Sequence, residues 1–486
     1  MKRAIALLLS LIMAATCFAI PTFADTQEKI RVACVGDSIT DGDMSTDRTL
    51  TSYPPHLQTF LGDAYEVKNF GASGHAALKN VGYVQSYWKN AKYNDSLAFN
   101  PNIVIIMLGT NDVIDPKYTD EVYKADMKAL IDSYKALPTN PEIYIATAPA
   151  CYTDETNKRA ERIQTVLLPV QKQIAEENGC KLVDINAKTQ NMKDYFADGL
   201  HPNDAGYLKL AQFMYEGVFN KTLSTVTVKT EQGNEVCHGG QQVIANENGV
   251  AEIVTGDGMK SFTVTKEGKG FVGMNVEIKG NTEIDCTGLV LPENLAINAT
   301  VTDVNGAVTV ATDADDATGW QSKNGFANAW LKVDFGGVKE VNSAIIEWGG
   351  SNRGKIDGYR IECSADGNSW VEVTNPVFSY GKDIDTVVFD KVAAPYMRVK
   401  VDSSAKNEVK INELGFFKTA DEPFTPAVKY ENEPPVSSSE EKEPEKNNGF
   451  ILYILMGVGA VAIAGIAAAV TVKKQKKSNS DRNVIQ

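Results

Sequence analysis

Two short apolar runs constrain this chain more than any other feature. Each is too hydrophobic to have a wet side, and each ends in a polar turn carrying glycine. Ile103 to Leu108 leads into Gly109-Thr110-Asn111-Asp112, and Ile30 to Val35 leads into Gly36-Asp37-Ser38-Ile39-Thr40. Strands covered on both faces read this way, and they belong to parallel sheets flanked by helices. The rest of residues 28–222 keeps the alternation. Further strands are expected at Tyr65 to Phe70, Ile143 to Ala148 and Leu182 to Ile185. Helices are expected at Tyr53 to Leu61, Tyr118 to Leu137 and Asn157 to Asn178, and Pro202 opens a last one with Leu208, Ala211 and Met214 on one face. The order predicts an α/β domain with a parallel sheet and helices on both sides. Reactive groups then collect at the carboxyl ends of the strands.

Four blocks supply such groups. Ser38 sits in a Gly-Asp-Ser turn just after a strand, where the glycine allows a sharp bend. A serine hydroxyl needs a base at neutral pH. Of the four histidines, His56, His75, His201 and His238, only His201 has an aspartate three residues before it, Asp198. A loop can fold Asp198 onto the imidazole so that Nδ1 donates to it and Nε2 is left to take the serine proton. The Ser38 amide, the Gly74 amide and the Asn111 side chain are the expected donors to a tetrahedral oxyanion. Glycine suits position 74 if substrate must approach the backbone closely. Asp37 and Asp112 are expected to brace their turns through backbone hydrogen bonds, and His75 can line the pocket. Each block alone has a bland reading as a turn, a helix cap or a surface pair. Their joint presence at strand ends carries the inference of acyl transfer, with catalytic residues Ser38, Gly74, Asn111, Asp198 and His201, no metal and no cofactor.

On these blocks, residues 28–222 resemble the SGNH (GDSL-like) hydrolases. The resemblance implies a three-layer α/β/α sandwich and metal-free hydrolysis of esters of lipids, acylated sugars or other small acyl donors. Tyr53-Pro54-Pro55-His56-Leu57 and Asn69-Phe70-Gly71-Ala72-Ser73-Gly74 look closest to its carbohydrate-esterase or sialate-O-acetylesterase-like members.

Beyond residue 222 the period changes to that of strands. Residues 223–290 read as a small β spacer domain without chemistry, with His238 as a loop histidine. Residues 291–418 carry Asn294-Leu295-Ala296, the run Ala314 to Trp320, the run Trp330 to Gly336, Ser364 to Trp370 and Ile411-Asn412-Glu413-Leu414. They resemble coagulation-factor C-type (discoidin-like) domains, which implies a β-sandwich jelly roll that often binds sugars. The motif tryptophans are expected in its core, and the loop Gly349 to Lys355, with Asn352 and Arg353, is the candidate glycan contact. Some relatives hold calcium, but Asp313 and Glu413 alone do not make a calcium site.

Both ends carry address signals. Lys2, Arg3 and the apolar stretch up to Thr22-Phe23-Ala24 read as a signal peptide over residues 1–24. Residues 419–448, rich in proline, acids and serine, read as a disordered linker. Residues 449–472 form an apolar run fit for a transmembrane helix, and Lys473, Lys474, Lys476 and Lys477 assign 473–486 to the cytoplasm. The expected product is a single-pass cell-membrane protein with an extracellular ectodomain. A net charge of −14 argues against nucleic acid as partner. Export permits disulfides, and Cys237 to Cys286 is one possible pair, whereas Cys34 reads as a small buried hydrophobe.

The expected function is therefore a cell-surface serine esterase acting on acylated carbohydrate, with O-acetyl the favoured group, and with a glycan ligand possible for the C-type domain. Two alternatives remain open on sequence. One is a surface glycan-binding adhesin with a vestigial hydrolase domain. The other is a lipase or thioesterase using the same residues.

Overall fold

The computed structural model describes residues 28–431 except 154–157, 314–317, 323–328, 350–355, 378–383, 405–408 and 422–423. The expected signal peptide, membrane helix and tail lie outside the described residues, as do most of the linker and most of the loop from Gly349 to Lys355. No helix among the described residues is long and apolar enough to cross a membrane.

The first domain is built on five parallel strands: β1 (Ile30–Gly36), β2 (Tyr65–Gly71), β3 (Ile103–Met107), β4 (Glu142–Ala146) and β5 (Lys181–Val183). Their order across the sheet is β2-β1-β3-β4-β5, all in parallel register. Alternation along β1 explains its apolar stretch from Val32 to Val35. Ala33 and Val35 enter the core on one face, together with Val104 and Ile106 of β3. Val32 and Cys34 enter the core on the other, together with Ile105 and Met107. Each fully buried valine or isoleucine contributes roughly 1.5–3 kcal/mol, so both faces need cover. Helices supply it. Tyr53–Leu61 (α2) and Asp204–Phe219 pack on the second face, while Asp120–Lys135 and Leu168–Glu177 cover the first.

Several helices differ from expectation, among them Ile185–Thr189, which starts at the last residue of an expected strand. The stretch expected to run unbroken from Asn157 to Asn178 is instead Arg159–Arg162, a π turn over Ile163–Leu167 and then Leu168–Glu177. Pro169 has no amide proton, and the backbone widens in the turn just before it. The last helix begins at Asp204 rather than at Pro202, because the Asn203 side chain caps it by accepting from Gly206. Ala91–Ala98 is an additional helix, capped by Asn90, whose sequence lacks a clear apolar stripe.

The second domain consists of two four-stranded sheets. One is ordered Gln241–Ile244, Glu235–His238, Gly258–Thr265, Phe271–Ile278. The other is ordered Val250–Thr255, Ser224–Lys229, Thr282–Asp285, Ala427–Tyr430. The last strand lies inside the expected linker. After the third domain the chain returns, and Ala427–Tyr430 pairs with Thr282–Asp285 on a sheet edge. The Cys237–Cys286 disulfide does not form. Both thiols are free and buried, one in each sheet's stretch of chain, and Cys286 packs its sulfur 3.6 Å from the Met274 sulfur.

The third domain is a β-structure built around two long strands, Trp330–Trp348 and Ile384–Ser404, which pair antiparallel. Trp320 is buried and donates to Asp303 at 2.9 Å. Trp330 and Trp370 are only half-buried and flank Arg398, whose guanidinium lies 4.1 Å from the Trp370 ring centre. Of the expected core tryptophans, then, one is core and two clamp an arginine.

Candidate active site

The carboxyl ends of β1, β2 and β3 bring the expected groups together. Gly36 closes β1, and Asp37 caps the four-residue helix α1 (Ser38–Asp41) by accepting from the Ile39 amide at 3.0 Å. Ser38 therefore opens a helical turn at the strand end, largely shielded from solvent. Its Oγ lies 2.9 Å from His201 Nε2.

His201 comes from a tight loop before the last helix. Gly199 adopts a left-handed φ of 81°, and the Ala197 amide donates back to the His201 carbonyl at 2.9 Å. Asp198 fills the inside of the loop. One carboxylate oxygen accepts from the Leu200 and His201 amides at 2.9 and 2.7 Å. The other meets His201 Nδ1 at 2.7 Å. Burial raises the Asp198 pKa, but the amide bonds and the imidazole outweigh it and hold the carboxyl below its ordinary range. An ionised Asp198 fixes the proton on Nδ1 and turns the Nε2 lone pair toward Ser38.

Asn111 follows β3, and its Nδ2 donates to the His75 carbonyl at 3.0 Å. That bond uses one of two amide protons. The turn around it is braced from several sides. Tyr123 and Gln171 both donate to the Leu108 carbonyl at 2.9 Å. Asp112 accepts from the Ala77 and Leu78 amides at 3.1 and 2.9 Å, so it also ties down the chain after Gly74. Burial pushes Asp112 up to about 7 and Asp37 up to about 6, against the pull of their amide bonds.

Gly74 has a left-handed φ of 76°, and a side chain there would meet open space. The backbone conformation alone calls for glycine here, and the open space leaves the amide accessible. At Gly71 the chain itself comes close, and a Cβ would collide with the Asp41 amide. The segment is strapped to the nucleophile turn. Asn69 donates to the Thr40 carbonyl at 2.8 Å, and Ser73 Oγ lies 2.7 Å from Asp41 and 2.8 Å from Asp43. Arg48 clamps both aspartates, reaching Asp41 at 2.6 Å. No motif marks Arg48 or Asn69 in the sequence. His75 does not add a free base. Its Nδ1 meets the Ser73 carbonyl at 2.8 Å and its Nε2 meets Asn90 at 2.9 Å.

The other two histidines lie away from Ser38, at the seam with the second domain. His238 is not in a loop. It ends the strand Glu235–His238, stacks on Phe262 and is buried between the Ser261 carbonyl and Thr255. His56 is buried in α2, and a Cβ on Gly240 of the second domain would press on its ring. Lys260 crosses the same seam, donating to the Thr59 and Phe60 carbonyls at the end of α2 at 2.8 and 3.0 Å. Among the described residues, no three His, Cys, Asp or Glu side chains are grouped to hold a metal.

Comparison with known proteins matches these domains. The sequence pattern of the GDSL-like Lipase/Acylhydrolase family covers residues 34–209, and that of the F5/8 type C domain covers residues 296–414. An acetylxylan esterase of Xylanibacter ruminicola is 32% identical over 211 residues, or 39% of this chain and 43% of the relative, so the match spans less than half of that protein. Among solved structures, the acetyl xylan esterase AlAXEase is 23% identical over 39% of this chain and all of its own, with a TM-score of 0.32. Chitosan-binding module 1 of a Paenibacillus sp. IK-5 chitosanase/glucanase is 25% identical over 26% of this chain and 99% of its own, with a TM-score of 0.23. The chain thus carries a GDSL-like lipase/acylhydrolase domain, of SGNH-like α/β fold on a parallel sheet, followed by a β-rich F5/8 type C domain.

Proposed function

We propose that this chain is a cell-surface serine esterase that removes O-acyl groups, above all O-acetyl groups, from carbohydrate. One observation carries the reading: an unbroken relay from Asp198 through His201 to Ser38, with links of 2.7 and 2.9 Å. In the proposed reaction His201 Nε2 takes the hydroxyl proton as Ser38 Oγ attacks the ester carbonyl. The Ser38 and Gly74 amides and the second Asn111 amide proton receive the oxyanion. Collapse expels the sugar hydroxyl, which leaves with the proton from His201. Water then attacks the acyl-serine, gives its proton to His201 and releases the carboxylic acid.

The acetyl preference is supported by the identity to an acetylxylan esterase, and the carbohydrate preference by the F5/8 type C domain in the same chain. The surface location is supported by the apolar run from Phe450 to Val472 and the lysines after it. The test is hydrolysis of p-nitrophenyl acetate by the purified ectodomain. Activity is expected to survive a chelator and to fall by roughly four to six orders of magnitude in Ser38→Ala. Full activity in Ser38→Ala, or loss of wild-type activity to chelator, would overturn the reading.

A further inference from the structure

Two large apolar side chains stand in solvent on the segments that carry the catalytic groups: Tyr83 is 61% exposed and Met44 57%. We propose that they are the two sides of the active-site mouth and grip the sugar that carries the ester. Tyr83 covers one face of the sugar ring, and Met44 meets C–H groups from the opposite side. The proposal rests on the esterase reading above and adds the residues that distinguish an acylated sugar from a small ester.

Backbone bonds fasten each of them to two catalytic segments. Tyr83 belongs with the two that carry oxyanion donors. Two residues on, Gln85 pairs with His75, and its amide donates to the Gly74 carbonyl at 3.1 Å. The Tyr83 hydroxyl donates to the carbonyl of Ile114, at the end of the short helical turn Asp112–Ile114 that follows Asn111. Met44 belongs with the nucleophile and the base. The amide of Asp43, just before it, donates to the Ser38 carbonyl at 3.0 Å. The Thr46 amide and hydroxyl donate to Asp204, three residues after His201, at 2.9 and 2.7 Å. All four catalytic segments therefore have one of these side chains at their border, and a Cβ on Gly74 would meet nothing within 4 Å.

A single exposed apolar side chain is ordinary, but these two are held in place. The buried Asp115 carboxylate accepts from the Gly82, Tyr83 and Val84 amides at 2.9, 3.1 and 3.3 Å. It fixes the backbone of Tyr83 while Ile114 fixes the hydroxyl. A ring pinned at both ends has little freedom left to lose on binding. Met44 has a φ of 68°, a left-handed conformation uncommon for a long side chain. Its neighbours impose it. Tyr207 donates to the Asp43 carbonyl at 2.7 Å, and Ser45 Oγ donates to the Gly42 carbonyl at 2.6 Å. Glycine would fit this backbone at less cost, so the fold gains nothing from a methionine here. Strain kept in place by surrounding bonds, with the side chain left in solvent, is a mark of a functional position. The chemistry suits a sugar, whose ring presents C–H groups on its faces and hydroxyls on its edges. Apolar surface with a few polar groups is the usual lining of a small-molecule site.

The experiment measures acetate release by the ectodomain from acetylated xylo-oligosaccharide and from ethyl acetate, an ester with no ring to grip. It reads the ratio of the two kcat/KM values, which does not depend on the fraction folded. Tyr83→Ala is expected to lower that ratio by about tenfold, through KM on the oligosaccharide. Tyr83→Phe keeps the ring and should hold the ratio within about twofold of wild type. Met44→Gly should lower the ratio by about threefold without lowering the melting temperature, because glycine relaxes the left-handed backbone. Ile244→Ala removes a comparably exposed side chain, 67%, from the second domain and should leave the ratio where it was. A ratio within about twofold of wild type in Tyr83→Ala or Met44→Gly would overturn the assignment and leave the esterase reading intact. So would a fall in Tyr83→Phe or Ile244→Ala as large as that in Tyr83→Ala. A wild type that releases acetate from neither substrate would sink the esterase reading, and the grip with it.

Discussion

The catalytic end of the hydrolase sheet and the seam with the second domain are both rich in buried polar groups, but they are assembled differently. At the catalytic end the contacts that orient each block are close in sequence, although the blocks themselves meet from far apart, as Ser38 and His201 do. Asp198 folds onto His201 three residues away, and Asp37 caps the turn of Ser38 from the preceding position. At the seam the partners come from separate strands or separate domains. Lys260 donates to carbonyls about two hundred residues earlier, and His238 is fixed by Ser261 and Thr255 on neighbouring strands. Short-range geometry leaves a motif, whereas long-range geometry leaves isolated residues of ordinary type.

The largest effect that separates the two regions is on turnover. Asn111→Ala is expected to lower kcat by roughly 10²–10³, because on the proposed mechanism it removes one oxyanion donor, and to cost about 1–3 kcal/mol of stability through the His75 carbonyl it leaves without that donor. Steady-state kinetics with a thermal melt checks this. A kcat within about twofold of wild type would remove Asn111 from the oxyanion site.

The converse variant is Lys260→Met, at the seam. It strips two carbonyls of α2 of a charged donor and should lower stability by about 1–3 kcal/mol in urea unfolding. Activity per folded molecule on p-nitrophenyl acetate should hold. A kcat loss as large as that of Asn111→Ala would mean that the seam and the catalytic end act as one unit.

Gly74→Ala is expected to be milder than Gly71→Ala. The first strains a left-handed φ in open space, about 1 kcal/mol, while the second drives a Cβ into backbone. Equal losses of expression and midpoint would contradict this ranking.

The smallest effect is a difference in pH response. Burial raises Asp112 to about 7 and Asp37 to about 6, so above the ordinary carboxylate range the folded chain keeps protons that the unfolded chain has released. Their contribution is full at low pH and fades as pH climbs toward about 7. Burial lowers His56 and His238 to about 4, so below the ordinary histidine value the unfolded chain binds protons that the folded chain refuses. Their contribution is full above that value and is lost as pH falls toward about 4. In unfolding midpoints followed across this range, Asp112→Asn should remove part of the decline toward neutral pH, and His238→Gln part of the decline toward acid. Both variants altering the same limb would break the distinction.

The same contrast accounts for what could be read from the chain alone. The inner strands of the sheet were legible because burial on both faces forces apolar runs, as in Val104 to Met107. Ser38, His201 and Asp198 were legible because chemistry requires those residue types, and the structure places them within hydrogen-bond reach of one another. Arg48 was not, since its aspartates, Asp41 and Asp43, only become a binding fork once α1 forms. The strand Ala427–Tyr430 was hidden for a related reason. Its neighbours in sequence are polar and proline-rich, and its order comes from an edge supplied by Thr282–Asp285. His238 looked like a loop residue beside two glycines, but those glycines let the second domain press against α2.

The proposed esterase chemistry requires that His201 activate Ser38. The most direct measurement is the intact mass of the ectodomain after exposure to a fluorophosphonate, with the modified residue located by peptide mapping. One adduct on Ser38 in the wild type, at least about a thousandfold slower in His201→Ala, is the predicted result. Labelling at another residue, or an unchanged rate without His201, would contradict it.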